Sequence, residues 1–299
     1  MKAKKDTFSG FHPTVNMLYF VTVLGFAMFI MHPILLGISL ACAIAYSAYL
    51  NGRRTVKLGL IVLLPVVLLT AILNPMFNHR GGTMLLYLPN GNPLTLESSM
   101  YGLFAAMLLI TVITWFSCLN MVMTSDKFIY LFGRIIPAFS LVLSMALRFV
   151  PRFKAQIKII ANAQNCIGCG VKSKNILKRA GHGIRILSIM VTWALENAIE
   201  TADSMKGRGY GLPGRTAFSI YRFDRRDAYA LAFMLTCAAI VIFGAVTEVF
   251  RFRFFPTIRV FHMGVGTYAI FAIHLALTVF PIIVNLKEDL VWKRIESKT

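Results

Sequence analysis

From Thr7 to Gly52 the chain carries no Asp, Glu, Lys or Arg, and most of its side chains there are apolar. The hydrocarbon core of a bilayer needs about 20 apolar residues per helix, and this stretch holds two such lengths. Proline interrupts a helix, so His32-Pro33 divides the stretch into two spans, Val15–Met31 and Ile34–Leu50. Leu58–Leu73, Tyr101–Met121, Ala228–Val246 and Gly264–Val284 read as four more. Phe128–Leu147 is apolar apart from Arg134, but it contains Pro137 and leads into a basic segment. A span, a re-entrant piece and a helix lying against the others are all open readings of it. Met28-Phe29-Ile30-Met31-His32-Pro33 offers no small-residue cleavage site, so the first span is expected to stay in the mature protein.

The composition, 57% hydrophobic with a net charge of +19, fits a polytopic membrane protein whose cations follow the positive-inside rule better than it fits a nucleic-acid binder. Lys2, Lys4 and Lys5 put the N-terminus in the cytoplasm, Arg53, Arg54 and Lys57 do the same for the second loop, and Lys287, Lys293, Arg294 and Lys298 for the C-terminus. The loop 74–99, with only Arg80 and Glu97 charged, is expected outside. Arg251, Arg253 and Arg259 run against this scheme, in a loop that an even span count puts outside. Cys42, Cys118 and Cys237 fall inside apolar spans, where cysteine acts as a small hydrophobe.

Between Asp126 and Glu196 stand eleven basic residues and no acid. No span separates Arg148 from Arg185, so the region reads as a cytoplasmic insert or as helices on the membrane face. Val150, Phe153, Ile157 and Ile160 form one apolar stripe at helical spacing, with Arg148, Arg152 and Gln156 on another face and Lys154 and Lys158 nearby. Gly168, Gly170 and Lys172-Ser173-Lys174-Asn175 break it. A second stripe runs Leu177, Ala180, Ile184, Leu187 and Val191, set against Lys178, Arg179, His182 and Arg185. A third places Ala194, Ala198, Thr201 and Met205 opposite Glu196, Glu200 and Asp203. It stops at Gly207-Arg208-Gly209, as helices commonly stop near glycine. Interfacial helices that only snorkel their lysines would show similar stripes, but they need no glycine-rich tips such as Gly168-Cys169-Gly170 and Gly207-Arg208-Gly209. A bare arginine between glycines can approach another backbone closely and fork onto a carboxylate or carbonyls, which suits docking.

Catalytic apparatus is not legible here. Gly-Lys occurs nowhere in the chain, so it holds no phosphate loop of the Walker type. Cys166-x-x-Cys169 is half a structural zinc site at most, with His182 the nearest further ligand in sequence, and small residues at a tight helix end explain it more simply. His12, His32, His79, His262 and His274 are scattered, and His274 sits within an apolar span, where a satisfied core or pore-lining histidine is the default. A secondary transporter would be expected to carry ionisable groups at the bilayer midplane, and a membrane enzyme clustered His, Asp or Glu at span ends. Neither pattern stands out, so no cofactor and no metal are expected.

Phe11-His12-Pro13-Thr14, Leu147-Arg148-Phe149-Val150-Pro151 leading into Ala163-Gln164, and Met205-Lys206-Gly207-Arg208-Gly209-Tyr210 together resemble the transmembrane T component of energy-coupling factor transporters, a family that includes CbiQ-type cobalt permeases. The resemblance spans nearly the whole chain. The last segment is similar to the second of the family's two Ala-Arg-Gly motifs, with Gly207 where alanine is usual. At the first motif this chain has Cys166-Ile167-Gly168, so Ile167 stands in the arginine position.

The resemblance implies an all-α polytopic membrane protein of about six spans with a cytoplasmic coupling domain of amphipathic helices. Residues 1–127 would form an N-terminal transmembrane region, 128–226 the coupling region and 227–299 two further spans and a tail. It implies a non-catalytic subunit in the plasma membrane, with both termini cytoplasmic. Cys166, Ile167 and Gly168 on one tip, and Met205 to Tyr210 on the other, would dock on two ATP-binding-cassette ATPases. The spans would hold a small S component that captures a vitamin or metal ion. The alternative is a secondary transporter, or another polytopic protein with basic interfacial helices.

Overall fold

A computed structural model of the chain describes residues 6–52, 64–87, 93–168, 176–212, 221–250, 252–260 and 264–296. Lys2, Lys4, Lys5, Arg53, Arg54, Lys57, Cys169, Gly170, the run 172–175, Arg251, His262 and Lys298 lie outside those residues, as does the first part of the expected span Leu58–Leu73. The helices in order are α1 (Pro13–Phe29), α2 (Pro33–Asn51), α3 (Leu64–Phe77), α4 (Leu96–Val122), α5 (Ser125–Ile135), α6 (Pro137–Cys166), α7 (Ile176–Gly207), α8 (Arg225–Val246) and α9 (Val265–Glu296). Two compact units result, Met1–Thr124 with Tyr221–Thr299, and Ser125–Ile220.

In the first unit α2, α4, α8 and α9 are each long and apolar enough to cross a bilayer, and α1 and α3 are shorter apolar helices. The chain is an all-α polytopic membrane protein. Several helices outrun their uncharged stretches, because charge marks where hydrocarbon ends rather than where the backbone ladder ends. Thus α4 begins at Leu96, where the Ser98 N–H donates to Thr95 Oγ1 (3.4 Å), and α8 begins at Arg225, where the Asp224 N–H donates to Asp227 Oδ2 (3.1 Å).

Both α1 and α2 open on His-Pro. Proline at the first helical position has its φ already set and lacks an N–H that the first turn would leave unpaired. The preceding histidine caps the turn: Thr14 N–H donates to His12 Nδ1 and Ile34 N–H to His32 Nδ1, both at 3.3 Å. Burial lowers the His32 pKa and so favours the neutral ring that this acceptance needs.

Ahead of α1 a 3₁₀ turn, Phe8–Gly10, folds into the bundle end. Phe8 is fully buried, its ring 5.2 Å from Tyr19, 6.1 Å from Phe280, 6.4 Å from Phe20 and 6.5 Å from Tyr46. Polar groups around it are paired. Asn285 Oδ1 accepts from the Thr7 (2.8 Å) and Phe8 (3.3 Å) N–H groups, and its Nδ2 donates to Asp6 Oδ1 (2.6 Å). Tyr46 OH donates to Asp6 Oδ2 (3.1 Å), and His12 N–H to Asp227 Oδ1 (3.1 Å). Deeper in the unit Trp115 Nε1 donates to Ser39 Oγ (3.0 Å) and Tyr19 OH to the Thr278 carbonyl (3.1 Å).

At the opposite end two loops form antiparallel hairpins, β1 (Met84–Tyr87) with β2 (Pro93–Thr95) and β3 (Phe252–Arg253) with β4 (Arg259–Val260). Gly82 N–H donates to the Pro256 carbonyl (2.9 Å), and the Tyr101 and Phe104 rings pack on Phe254 at 5.4 and 5.5 Å. The basic loop that resisted the charge scheme therefore shares its end with the Arg80 loop.

The second unit decides one open reading and corrects one expectation. Phe128–Leu147 is no single span but parts of α5 and α6, because Pro137 pushes Ile136 out of the helical region (φ −133, ψ 86). The second and third amphipathic patterns belong to one uninterrupted helix, α7, since nothing between Val191 and Ala194 breaks it. The apolar stripe read from the sequence is not the face of α7 that packs. Leu177, Ile184, Leu187 and Val191 are exposed, whereas Ile186 and Met190 are buried in a cluster with Ile160, against which Phe153 and Trp193 pack. On α6 likewise Val150 and Ile157 are exposed. A helix apolar on two faces buries whichever fits its neighbour, and here Phe153 meets Trp193 edge to face at 5.8 Å while Arg152 lies over the same indole at 5.5 Å.

Phe8→Ala is expected to cost about 3–5 kcal/mol, as for other fully buried aromatic side chains, and to lower the melting temperature of the detergent-purified protein; Phe8→Leu should lower it less. An unchanged melting temperature for Phe8→Ala would show that the turn is not part of the core.

Candidate functional site

Both long helices of the second unit end on a glycine in the left-handed region. At the end of α7 the Tyr210 N–H donates to the Met205 carbonyl (3.0 Å) and the Gly209 N–H to the Lys206 carbonyl (2.9 Å), with Gly209 at φ +78. This is a Schellman motif, which satisfies carbonyls that the last turn would otherwise leave open and needs a left-handed residue at its pivot. At the end of α6 the Gly168 N–H donates to the Asn165 carbonyl (3.1 Å), with Gly168 at φ +75. Ile167 and Arg208 therefore occupy equivalent positions, each the residue just before a left-handed glycine. Gly207 has no such constraint: a Cβ there would meet nothing within 4 Å, so alanine fits.

The caps set what the tips present. Cys166 and Ile167 are exposed at one, Ile167 at 67% of its surface, and Lys206, Arg208 and Tyr210 at the other, with Met205 half-buried beneath. One tip thus offers a branched apolar side chain and the other a guanidinium with an aromatic ring two residues on. Glu196, Glu200 and Asp203 are exposed on the approach to the Arg208 tip.

The two tips point apart. As α6 advances from Phe153 to Ile160, its contacts on α7 move back from Trp193 toward Ile186, so the helices pass in opposite senses. At 1.5 Å per residue Ile167 lies about 10 Å beyond the shared cluster along α6, and Arg208 about 27 Å beyond it along α7 in the other direction. No three His, Cys, Asp or Glu side chains come together to hold a metal ion among the described residues, and Cys169 lies outside them.

No family model matches the chain. Over 216 residues, 68% of this chain and 76% of the relative, it is 29% identical to an energy-coupling factor transporter transmembrane protein EcfT of Bacillus selenitireducens. It is 33% identical over 104 residues to the EcfT protein of Lactobacillus helveticus and 35% identical over 104 residues to that of Lacticaseibacillus paracasei, stretches covering 38% and 39% of those relatives. The chain is thus similar to the transmembrane T components of energy-coupling factor transporters.

In this chain the glycine tips were visible in sequence as breaks in periodicity. Their equivalence was not, because it depends on which glycine takes the left-handed turn. The exposed apolar face of α7 was missed as a surface. Its signal was present, since Ile186, Met190 and Trp193 compete with Ile184, Leu187 and Val191 for the inward face.

Gly209→Ala forces a Cβ into the left-handed region, at about 1–2 kcal/mol, and to 3.2 Å from Leu212 Cδ1. It is expected to speed hydrogen exchange at the Tyr210 amide in exchange mass spectrometry. Gly207→Ala should leave that exchange unchanged or slower, because alanine favours the helix. The reverse order would mean that Gly207, not Gly209, is the pivot.

Proposed function

We propose that this T component is the non-catalytic coupling subunit of an importer, linking two ATP-binding-cassette ATPases to a small membrane-embedded S component that captures a vitamin or metal ion. The observation that carries the reading is the pair of equivalently capped tips pointing to opposite ends of the α6–α7 pair. One partner pocket would need only one tip, whereas two like tips facing apart suit two copies of one kind of partner. Closure of an ATPase dimer would shift the tips relative to each other, and helices packed through Phe153, Ile160, Ile186 and Trp193 carry such a shift as rigid levers.

The exposed face of α7 supports the rest. Leu177, Ile184, Leu187, Val191 and Leu195 are each at least half exposed. An apolar stripe of that length beside basic residues suits the S component, which works in the membrane itself. Sidedness follows the cations. Among the described residues the end of the first unit that holds Phe8 carries Arg222, Arg225, Arg226, Lys287, Lys293 and Arg294, against Arg80, Arg253 and Arg259 at the hairpin end, so in this reading the Phe8 end faces the cytoplasm of the plasma membrane.

The tips differ in grip. Arg208 can make a charge-assisted, forked contact in an ATPase groove, and removing such a group from a buried contact costs about 2–5 kcal/mol. Ile167 offers apolar contact alone, worth roughly 1–3 kcal/mol if covered. Arg208→Ala is therefore expected to abolish transport and most ATPase co-purification at unchanged membrane insertion, and Ile167→Ala to weaken both. Equal losses in the two variants at matched expression would contradict Arg208 as the main grip, and co-purification unaffected by either would contradict docking through the tips.

A further inference from the structure

A groove of about 570 Å³ lies between α8 and α9 beside the 3₁₀ turn, within the size range of small-molecule sites. Its lining passes from apolar to charged along the helices, with Val291 and Ile295 apolar again beyond the charged level at the end of α9. Phe233, Phe280 and Val284 line the part nearer the middle of the spans, and Phe233 and Phe280 stack at 5.5 Å. One to two turns nearer the helix ends stand Arg226 and Lys287, with Glu288 the acid among the lining residues. Trp292 and Tyr229, both more than half exposed, flank this charged level, where amphipathic rings gather at a membrane surface. The Arg226 guanidinium lies over the Phe11 ring at 4.2 Å and donates to the Gly10 carbonyl (3.3 Å), which fixes a cation at the groove's mouth.

We propose that this groove seats one anionic phospholipid, its acyl chain against Phe233, Phe280 and Val284 and its phosphate at Arg226 and Lys287. The apolar-to-cationic order from Phe280 to Lys287 matches an amphiphile with a negative head, and Lys287 is the first charged residue after the uncharged stretch 265–286, where a span leaves hydrocarbon. A partner helix is the poorer occupant. Close helix approach in lipid needs small residues along the seam, and here only Ala230 is small among Phe233, Phe280 and Trp292. A flexible chain can follow the irregular floor that those rings leave. The bound lipid would tie α8, α9 and the N-terminal turn together at the charged end, and the site is independent of the coupling tips.

The test is native mass spectrometry of the full-length protein in detergent, titrated with phosphatidylglycerol and with phosphatidylcholine of the same acyl chains. One phosphatidylglycerol is expected to be retained in preference to phosphatidylcholine, by about five-fold for each basic group that engages the headgroup. Lys287→Glu should remove most of that preference, and Ala230→Phe, which fills the floor, should reduce retention of both lipids. Because Ala230 is buried and its replacement could disturb packing, exposed Lys287 provides an independent arm, and Glu288→Gln should raise the preference. In vesicles, phosphatidylglycerol brominated on its acyl chains should quench Trp292 fluorescence, read as the difference from Trp292→Phe, more than brominated phosphatidylcholine does. Equal retention and equal quenching by the two lipids would overturn the proposal and leave only bulk lipid contact. A preference that survives Lys287→Glu would overturn it as well. A polypeptide that copurifies with the protein and shields Trp292 from both brominated lipids would assign the groove to a protein instead.

Discussion

Asn285 holds the first unit together at one end. A side-chain amide deep in an apolar bundle is costly unless its groups are paired, and here Oδ1 accepts from two consecutive amides of the N-terminal segment while Nδ2 donates to Asp6. That fixes the turn that drives Phe8 among the rings of Tyr19, Phe20, Tyr46 and Phe280. Through this one plug the chain ahead of α1 is joined to α2 by Tyr46, to α8 by Asp227 and to α9 by Asn285. Without it the N–H groups of Thr7 and Phe8 would lose their acceptor, and α1 would lose the anchor that sets where it enters the bundle.

The second unit is built on the opposite plan. Its small cluster of Ile160, Ile186 and Met190 leaves long helical arms and apolar faces uncovered. Exposed apolar surface on that scale marks a surface made for something else. A scaffold with its buried polar pairs in one unit and uncovered apolar faces in the other has the division of labour that the proposed coupling role needs.

Much of this was legible in the chain. Charge-free lengths located the apolar helices, four of them long enough to cross a bilayer, because lipid tolerates few charges and requires full helical hydrogen bonding. Helix ends were less legible: caps at Thr95 and Asp224 extend α4 and α8 into charged sequence. The plug was not legible, because Asp6 and Asn285 lie at opposite ends of the sequence and neither has a local signature. In the second unit periodicity identified helices but not the face of α7 that packs, since both faces are apolar and only the partner decides. At the tips glycine marked the stop, while the pivot, Gly209 rather than Gly207, required the backbone. Ile167 stands at the same place in its cap as Arg208 does, so one geometry presents two different chemistries.

On the proposed function, the two separated tips engage two separate ATPase copies. A photo-crosslinking amino acid placed at Ile167 or at Arg208, followed by mass analysis of the purified complex, tests this. One ATPase adduct is expected from each position and, with both positions labelled, a species carrying two ATPase copies on one copy of this chain. A doubly labelled protein that captures only one ATPase copy, joined through both tips, would contradict it.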